Sequence, residues 1–227
     1  VSGVYERGWR QSFAWAGFPG ADAEFQLAMA RLGPAFGGTL LDLSCGSGIF
    51  SRLFAKSGRF AGVIAADFSE AMLREAAATF AADAAARGGP HLLVRADAAR
   101  LPFAAGSLGA VHAGAALHCW PDAATAVAEV ARVLRPGGAF VASTFLTAAA
   151  PLGALLGDDA AVRPLGRLLD GPPGARPMRW WDEGELRGLC AAAGLVGFER
   201  ERRNRFILFS ARKPNRGGDG GDGNESN

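Results

Sequence analysis

Residues 41–48 read Leu41-Asp42-Leu43-Ser44-Cys45-Gly46-Ser47-Gly48, an apolar run that meets a carboxylate and then a glycine-rich turn. The run 39–43 has the composition of a short buried strand. Beyond the turn, Ile49, Phe50, Leu53 and Phe54 recur at helical spacing as far as Lys56, with Gly58 placed to stop the helix. Strand, glycine turn and helix in succession open an α/β sheet, and the glycines let a ligand approach the backbone at the helix N-terminus.

The alternation continues outward. A second strand is expected over 63–66, then a helix that Ser69 can cap and that runs to about Arg87, broken by Gly88-Gly89-Pro90 before a third strand at 91–96. A fourth strand spans 108–113. Pro121 and Asp122 open a helix carrying Val127, Val130 and Leu134, the turn Arg135-Pro136-Gly137-Gly138 ends it, and 139–145 is the fifth strand. This order predicts a doubly wound, Rossmann-like parallel sheet.

The remaining sequence sets bounds on that fold. At 227 residues, with 49% hydrophobic and 20% charged residues, the chain suits one domain with insertions. No apolar run approaches the roughly 18 residues of a membrane-spanning helix. Lys plus Arg number 24 against 22 Asp plus Glu, too balanced for a nucleic-acid-binding field. Cys45, Cys119 and Cys190 form no CxxC pair, so neither a disulfide framework nor a metal site is expected. No targeting segment is recognisable, and any such segment is expected to lie outside these residues. Residues 1–36 read as an N-terminal helical cover, with Tyr5, Trp9 and Arg10 closing over the ligand, and 37–214 as the main domain. Within it, the Pro/Gly-rich stretch 146–178 suits a surface insertion or lid. Asp182 and Glu185 form a capping box for a helix ending at Gly194, and 195–202 and 205–211 can pair as an antiparallel hairpin. The tail 215–227 has a disordered composition.

The chemistry gathers at the strand ends. Dinucleotide sites use G-x-G-x-x-G, whereas here Ser51 stands at the third glycine position and an acid precedes the turn. S-adenosylmethionine carries an ammonium, a carboxylate and a sulfonium but no pyrophosphate, so Asp42 suits its positive groups directly or through water. Asp67 ends the second strand, where a doubly wound fold places an acid against ribose hydroxyls. Asp97, followed by Ala98, ends the third strand within reach of an adenine amino group. Three acids at three successive strand ends converge on one crevice.

The strings LLDLSCGSGIFSRLFAKSG, GVIAADFSEAMLREA, RADAARLPF, GAVHAGAALHCWPDAATAVAEVARVLRPGG and FILFSARKP resemble the plastid methyltransferase-like proteins of plants and green algae. These are similar in turn to the ubiquinone/menaquinone-biosynthesis type of C-methyltransferase. The resemblance covers residues 4–214. It implies a seven-stranded sheet with an antiparallel C-terminal strand. It also implies S-adenosylmethionine held by Asp42, Gly46 and Gly48 at its amino-acid end, by Asp67 at the ribose and by Asp97 with Ala98 at adenine, with Ser44, Cys45, Phe68 and Met72 as further cofactor-binding residues. Ser44 stands where the wider superfamily commonly has glycine. Relatives of this type are plastid proteins associated with lipid bodies of the thylakoid, which implies a plastid location and peripheral lipid contact.

His118, in Leu117-His118-Cys119-Trp120 after the fourth strand, is the candidate general base, because imidazole can take a proton from an attacking hydroxyl. Trp120, Phe145 and residues near Trp180 and Trp181 are expected to line an apolar acceptor site. Arg200, Arg202, Arg203, Arg205, Arg212, Lys213 and Arg216 form a basic C-terminal region suited to a solvated edge or to anionic lipid. The expected function is methyl transfer from S-adenosylmethionine to a small lipophilic quinol- or phenol-like acceptor. No N-P-P-Y or D-P-P-Y string occurs near the fourth strand, which weakens methylation of nucleic-acid bases. The alternatives are a non-catalytic cofactor-binding module acting through a partner and a nicotinamide-dependent oxidoreductase, the latter disfavoured by Ser51.

Overall fold

The structure, a computed structural model, describes residues 13–87, 91–157, 159–170 and 178–215. Strand β1 (Thr39–Leu43) has four of its five residues buried. It lies between β2 (Gly62–Asp67) and β4 (Leu108–Ala113), parallel to both. Outside β2 runs β3 (His91–Arg95), and outside β4 runs β5 (Leu134–Phe145), again in parallel. Strands β6 (Val196–Arg203) and β7 (Phe206–Arg212) complete a seven-stranded sheet of order β3-β2-β1-β4-β5-β7-β6, with β7 antiparallel to both its neighbours. The order reverses between β1 and β4, and the crevice beyond their carboxyl ends is where open α/β sheets bind ligands.

Helices cover both faces, so the strands read as near-continuous apolar runs. On one face α1 (Ala21–Leu32) and α2 (Ile49–Lys56) bury Leu32, Phe50 and Phe54 against Leu40, Val63, Ala110 and Val141. Between α2 and the next helices stand β2 and then α3 (Glu70–Ala82) and the short α4 (Ala84–Arg87). On the other face α5 (Ala123–Val133) packs Val127 and Val130 against Leu41, Val111 and Phe140. Each such side chain contributes roughly 1.5–3 kcal/mol on burial.

Ser69 accepts from the Met72 N–H and caps α3 as expected. The single helix expected over 69–87 is instead interrupted at Asp83, whose backbone is extended. Its carboxylate accepts from Lys56 Nζ at 2.9 Å and from the Ala86 N–H at 3.2 Å, so the break gains a salt bridge and a cap for α4. β5 begins at Leu134, earlier than expected, because a register shift opposite β4 takes in the Arg135–Gly138 turn. The stretch 146–178 carries two helices, α6 (Ala150–Leu156) and α7 (Asp159–Asp170), packed on each other. Helix α8 (Glu183–Ala192) starts with the expected box: Asp182 accepts from the Glu185 N–H at 2.7 Å, and Glu185 accepts from the Asp182 N–H. Tyr5, Trp9, Arg10, the Gly88-Gly89-Pro90 break, Arg216 and the tail from 216 lie outside the described residues.

Candidate cofactor and acceptor site

Between β1 and α2 the chain takes positive φ at Ser44 (59°), Gly46 (56°) and Gly48 (80°). The two glycines serve different ends. A Cβ on Gly48 would lie 3.2 Å from Ala76 Cβ, so this glycine brings α2 close to α3. A Cβ on Gly46 would meet nothing within 4 Å, which leaves the outer face of the turn open to a ligand. Asp67, ending β2, holds the turn from the side. One oxygen accepts from the Gly46 N–H at 2.9 Å and the other from the Ser69 N–H at 2.8 Å. Phe68 follows, largely exposed, with the Arg95 guanidinium 5.9 Å above its ring, and Met72 lies in the first turn of α3. Asp97 is exposed beyond the end of β3 and accepts from the Ala99 N–H at 2.9 Å, with Ala98 packed against the core.

Asp42 does not stand with these acids on the crevice surface. It is buried, its Oδ1 lies 2.8 Å from His112 Nδ1, and its Oδ2 accepts from the Ser51 hydroxyl. Both oxygens are used inside the fold, so Asp42 acts on the turn from beneath by joining β1 to β4 and α2. The reason is register: Asp42 and His112 are cross-strand partners and project to the α2 side, where Phe50 and Phe54 pack edge-on against the imidazole.

The field at the turn is negative. Burial pushes the Cys45 thiol well above the ordinary thiol range, and the charges of Asp42 and Asp67 push it further. The Cys119 thiol is raised by burial and then by Asp67. Both shifts disfavour the thiolate. An open glycine turn, a carboxylate at its lip and a negative field fit a ligand with ribose hydroxyls and positive charge.

The segment after β4 leads to an aromatic cluster. Trp120 Nε1 donates to Ser44 Oγ at 3.0 Å and ties the segment after β4 to the turn. Two residues earlier, His118 is 2% exposed, with Nδ1 3.3 Å from Thr144 Oγ1 and Nε2 buried without a hydrogen-bond partner. Burial pushes its pKa down from 6.5 to about 4, so it is neutral at physiological pH. Phe145, at the end of β5, is 1% exposed and surrounded by the rings of Phe13, Phe18, His118 and Trp180 at 4.6–5.2 Å. The Arg179 N–H donates to the His118 carbonyl and the Trp181 N–H to that of Phe145, which carries Trp180 onto the cluster. Trp180 Nε1 is also buried without a partner. Trp120 and Trp181 both belong to the opposite core from Phe145 and Trp180, Trp181 under the Arg179 guanidinium.

Four residues here have structural partners that the sequence does not signal. Ser51 and His112 become visible only once register places them on Asp42. Glu24, an acid in the first turn of α1, is buried and accepts from Ser143 Oγ. Ser143 in turn accepts from the N–H of Ala115, a non-glycine residue at φ 50°, and so pins the loop after β4. The basic C-terminal region is largely neutralised: Arg200 and Arg202 pair with Glu183, Arg202 also with Asp159, and Arg205 with Asp170. Among the described residues no helix is long and apolar enough to cross a membrane.

A seven-stranded sheet with one antiparallel insertion, and helices on both faces, is the class I methyltransferase fold. A methyltransferase-domain family model matches residues 41–142. An uncharacterized chloroplastic methyltransferase of Arabidopsis thaliana is 49% identical over 94% of this chain and 59% of its own length, so the chain spans somewhat over half of that relative. A demethylmenaquinone methyltransferase of Mycolicibacterium paratuberculosis is 35% identical, over 74% of this chain and 72% of its own. The crystal structure of a SAM-dependent methyltransferase from Aquifex aeolicus superposes with a TM-score of 0.62 at 14% identity, covering 84% of this chain and 89% of that one. The chain belongs to the class I S-adenosylmethionine-dependent methyltransferases, and S-adenosylmethionine is the family's methyl donor.

Proposed function

We propose that the protein transfers a methyl group from S-adenosylmethionine to a small, lipophilic quinol- or phenol-like acceptor, in the plastid. The observation that carries the reading is the aromatic cluster around Phe145, which holds two buried ring nitrogens without partners, His118 Nε2 and Trp180 Nε1. An aromatic acceptor with a hydroxyl suits such a place, since its ring is apolar and its oxygen can accept from the indole and donate to the imidazole. The chloroplastic name of the Arabidopsis relative supports the compartment, and the demethylmenaquinone methyltransferase supports a quinol-type acceptor.

The donor supplies an electrophilic methyl on a sulfonium. In this reading Asp67 accepts from the ribose hydroxyls, Asp97 and Ala98 meet adenine, and the backbone of 44–48, with Phe68 and Met72, completes the donor side. Asp42 supports that turn from below through Ser51 and His112. Trp120 and Phe145 shield the acceptor from water, and positioning is the main contribution of the protein. His118 Nε2 takes the acceptor's proton as the new bond forms. A base whose pKa is about 4 suffices there, because an oxygen gaining a methyl group becomes far more acidic than the free phenol.

The test is turnover with labelled donor across a panel of quinols and phenols, with His118→Gln beside the parent. The variant is expected to keep donor affinity and to lose about 10²–10⁴ in rate. Equal turnover at every pH would remove the base role. Donor binding without transfer to any acceptor would make the protein a binding module.

A further inference from the structure

The sheet has a second opening, at the end opposite the donor turn. Because β5 and β7 run antiparallel, the turn that opens β5 lies beside the residues that follow β7. The Gly137 N–H donates to the Lys213 carbonyl at 2.9 Å, and the Lys213 N–H donates to the Gly138 carbonyl at 3.0 Å. Pro34, from the short turn before β1, and Val196, at the start of β6, complete a cleft of about 530 Å³ around this pairing. The strand from Gly138 to Phe145 separates the cleft from the aromatic cluster by roughly 20 Å.

The charge of the cleft is one-sided. Arg135, Arg212 and Lys213 line it, and among the described residues no acid does. Lys213 Nζ is turned to the carbonyls of Arg132 and Leu134, at 3.3 and 2.8 Å, whereas the guanidiniums of Arg135 and Arg212 have neither an ion pair nor a hydrogen bond among the described residues. The acids of β6 are committed elsewhere, Glu199 to Arg31 and Glu201 to Arg203. Arg200, Arg202 and Arg205 differ from the cleft's pair, since each has an acid beside it. The remaining wall is apolar and stiff, because Pro34 and Pro136 have a fixed φ and Val196 is branched at Cβ.

We infer that this cleft is a second ligand site, for a small organic phosphate whose phosphoryl group is gripped by Arg135 and Arg212 and whose apolar body rests on Pro34, Pro136 and Val196. A guanidinium presents a planar fork of donors that fits phosphate oxygens, and these two forks have no internal anion to give up first. A phosphate monoester carries a charge of about −1.5 to −2 at pH 7, which two arginines and the field of Lys213 balance more fully than they would a carboxylate, with its single charge. The volume falls in the ordinary range of small-molecule sites and leaves room beyond the phosphoryl group for the ester. The site lies away from the crevice, so it rests neither on the proposed acceptor nor on the role given to His118.

The experiment is calorimetric titration of the full chain with phenyl phosphate, inorganic phosphate and benzoate, each with and without saturating S-adenosylmethionine. Phenyl phosphate is expected to bind equally in both conditions, and more tightly than either of the other probes. Arg135→Gln combined with Arg212→Gln should weaken it at least tenfold, as expected for loss of hydrogen bonds to a charged group, and leave donor affinity unchanged. Neither guanidinium has a partner to lose, so a folded variant is expected, and an unchanged thermal midpoint checks it. Arg135→Gln alone, at an exposed turn position, should weaken binding by a smaller factor and gives the same reading if the double variant is unstable. No binding by the parent, or equal binding by the variants, overturns the inference. Binding that disappears when the donor is added places the phosphate on the glycine turn and overturns it too. Benzoate as tight as phenyl phosphate would overturn the choice of phosphate, and inorganic phosphate as tight would overturn the apolar half of the site.

Discussion

On the proposed donor side of the crevice, Gly46, Asp67 and Ser69 belong to one strand–helix–strand unit, the backbone N–H groups of Gly46 and Ser69 donating to the one carboxylate of Asp67. On the acceptor side, Phe13, Phe18, His118, Phe145 and Trp180 come from segments far apart in the chain and meet through ring contacts, with two nitrogens left without partners. The first arrangement is local, directional and indifferent to what receives the methyl group. The second is set by packing and changes with any of its segments. A fold shared with distant methyltransferases can thus keep its donor half while the acceptor half diverges.

The largest effect expected tests whether the donor turn is held from below. Asp42→Ala strips both His112 Nδ1 and Ser51 of a buried partner and should cost about 3–5 kcal/mol of stability, read from denaturant unfolding. Asp42→Asn, which keeps an acceptor, should cost less. A variant of normal stability that has lost only donor affinity would return Asp42 to the crevice surface and break the contrast with Asp67.

His118 sharpens the acceptor half. Its folded pKa of about 4 lies below the ordinary 6.5, so its neutral form favours folding fully above pH 6.5, and that contribution is lost as pH falls through 4. The loss amounts to about 3 kcal/mol across this window. Urea midpoints measured from pH 7 to 4 should fall less steeply for His118→Gln. Parallel curves would mean that the imidazole is solvated.

Asp67→Ala should weaken S-adenosylmethionine binding by about 1.5–3 kcal/mol in calorimetry, the range for hydrogen bonds to a charged group. It also releases the Gly46 and Ser69 N–H groups. Unfolding of the same variant, measured without donor, separates ligand contact from loop support. Unchanged affinity in a folded variant would remove the ribose role.

The halves differ equally in how far the sequence exposes them. Strand, turn and helix over residues 39–56 are legible to the residue, because leucine patterning, two glycines and Gly58 all act locally. The place of Asp67 at the end of β2 is legible from its spacing beyond the glycines. The fate of Asp42 is not, because it depends on a cross-strand neighbour 70 residues on. The hairpin over 146–178 reads as irregular because Gly and Pro recur throughout it, yet Gly153 and Gly166 are there for close packing. Glu24 shows the same limit: its buried carboxylate accepts from Ser143 of β5, a partner 119 residues on.

The smallest effect concerns the hydrogen bond from Trp120 Nε1 to Ser44, which joins the halves. Ser44 stands at φ 59°, a conformation that costs an L-residue about 1 kcal/mol or somewhat more relative to glycine. Its hydroxyl contributes about 1 kcal/mol through the indole. Ser44→Ala loses the bond and keeps the strain, so it should destabilise by about 1 kcal/mol. Ser44→Gly loses the bond and relieves the strain, so the two terms should nearly cancel. Thermal unfolding of the pair therefore reads the strain directly. If Ser44→Gly is as damaging as Ser44→Ala, the turn is unstrained at this position and the serine is there for Trp120 alone. If neither variant changes stability, the bond is weak, and only packing couples the acceptor side to the donor turn.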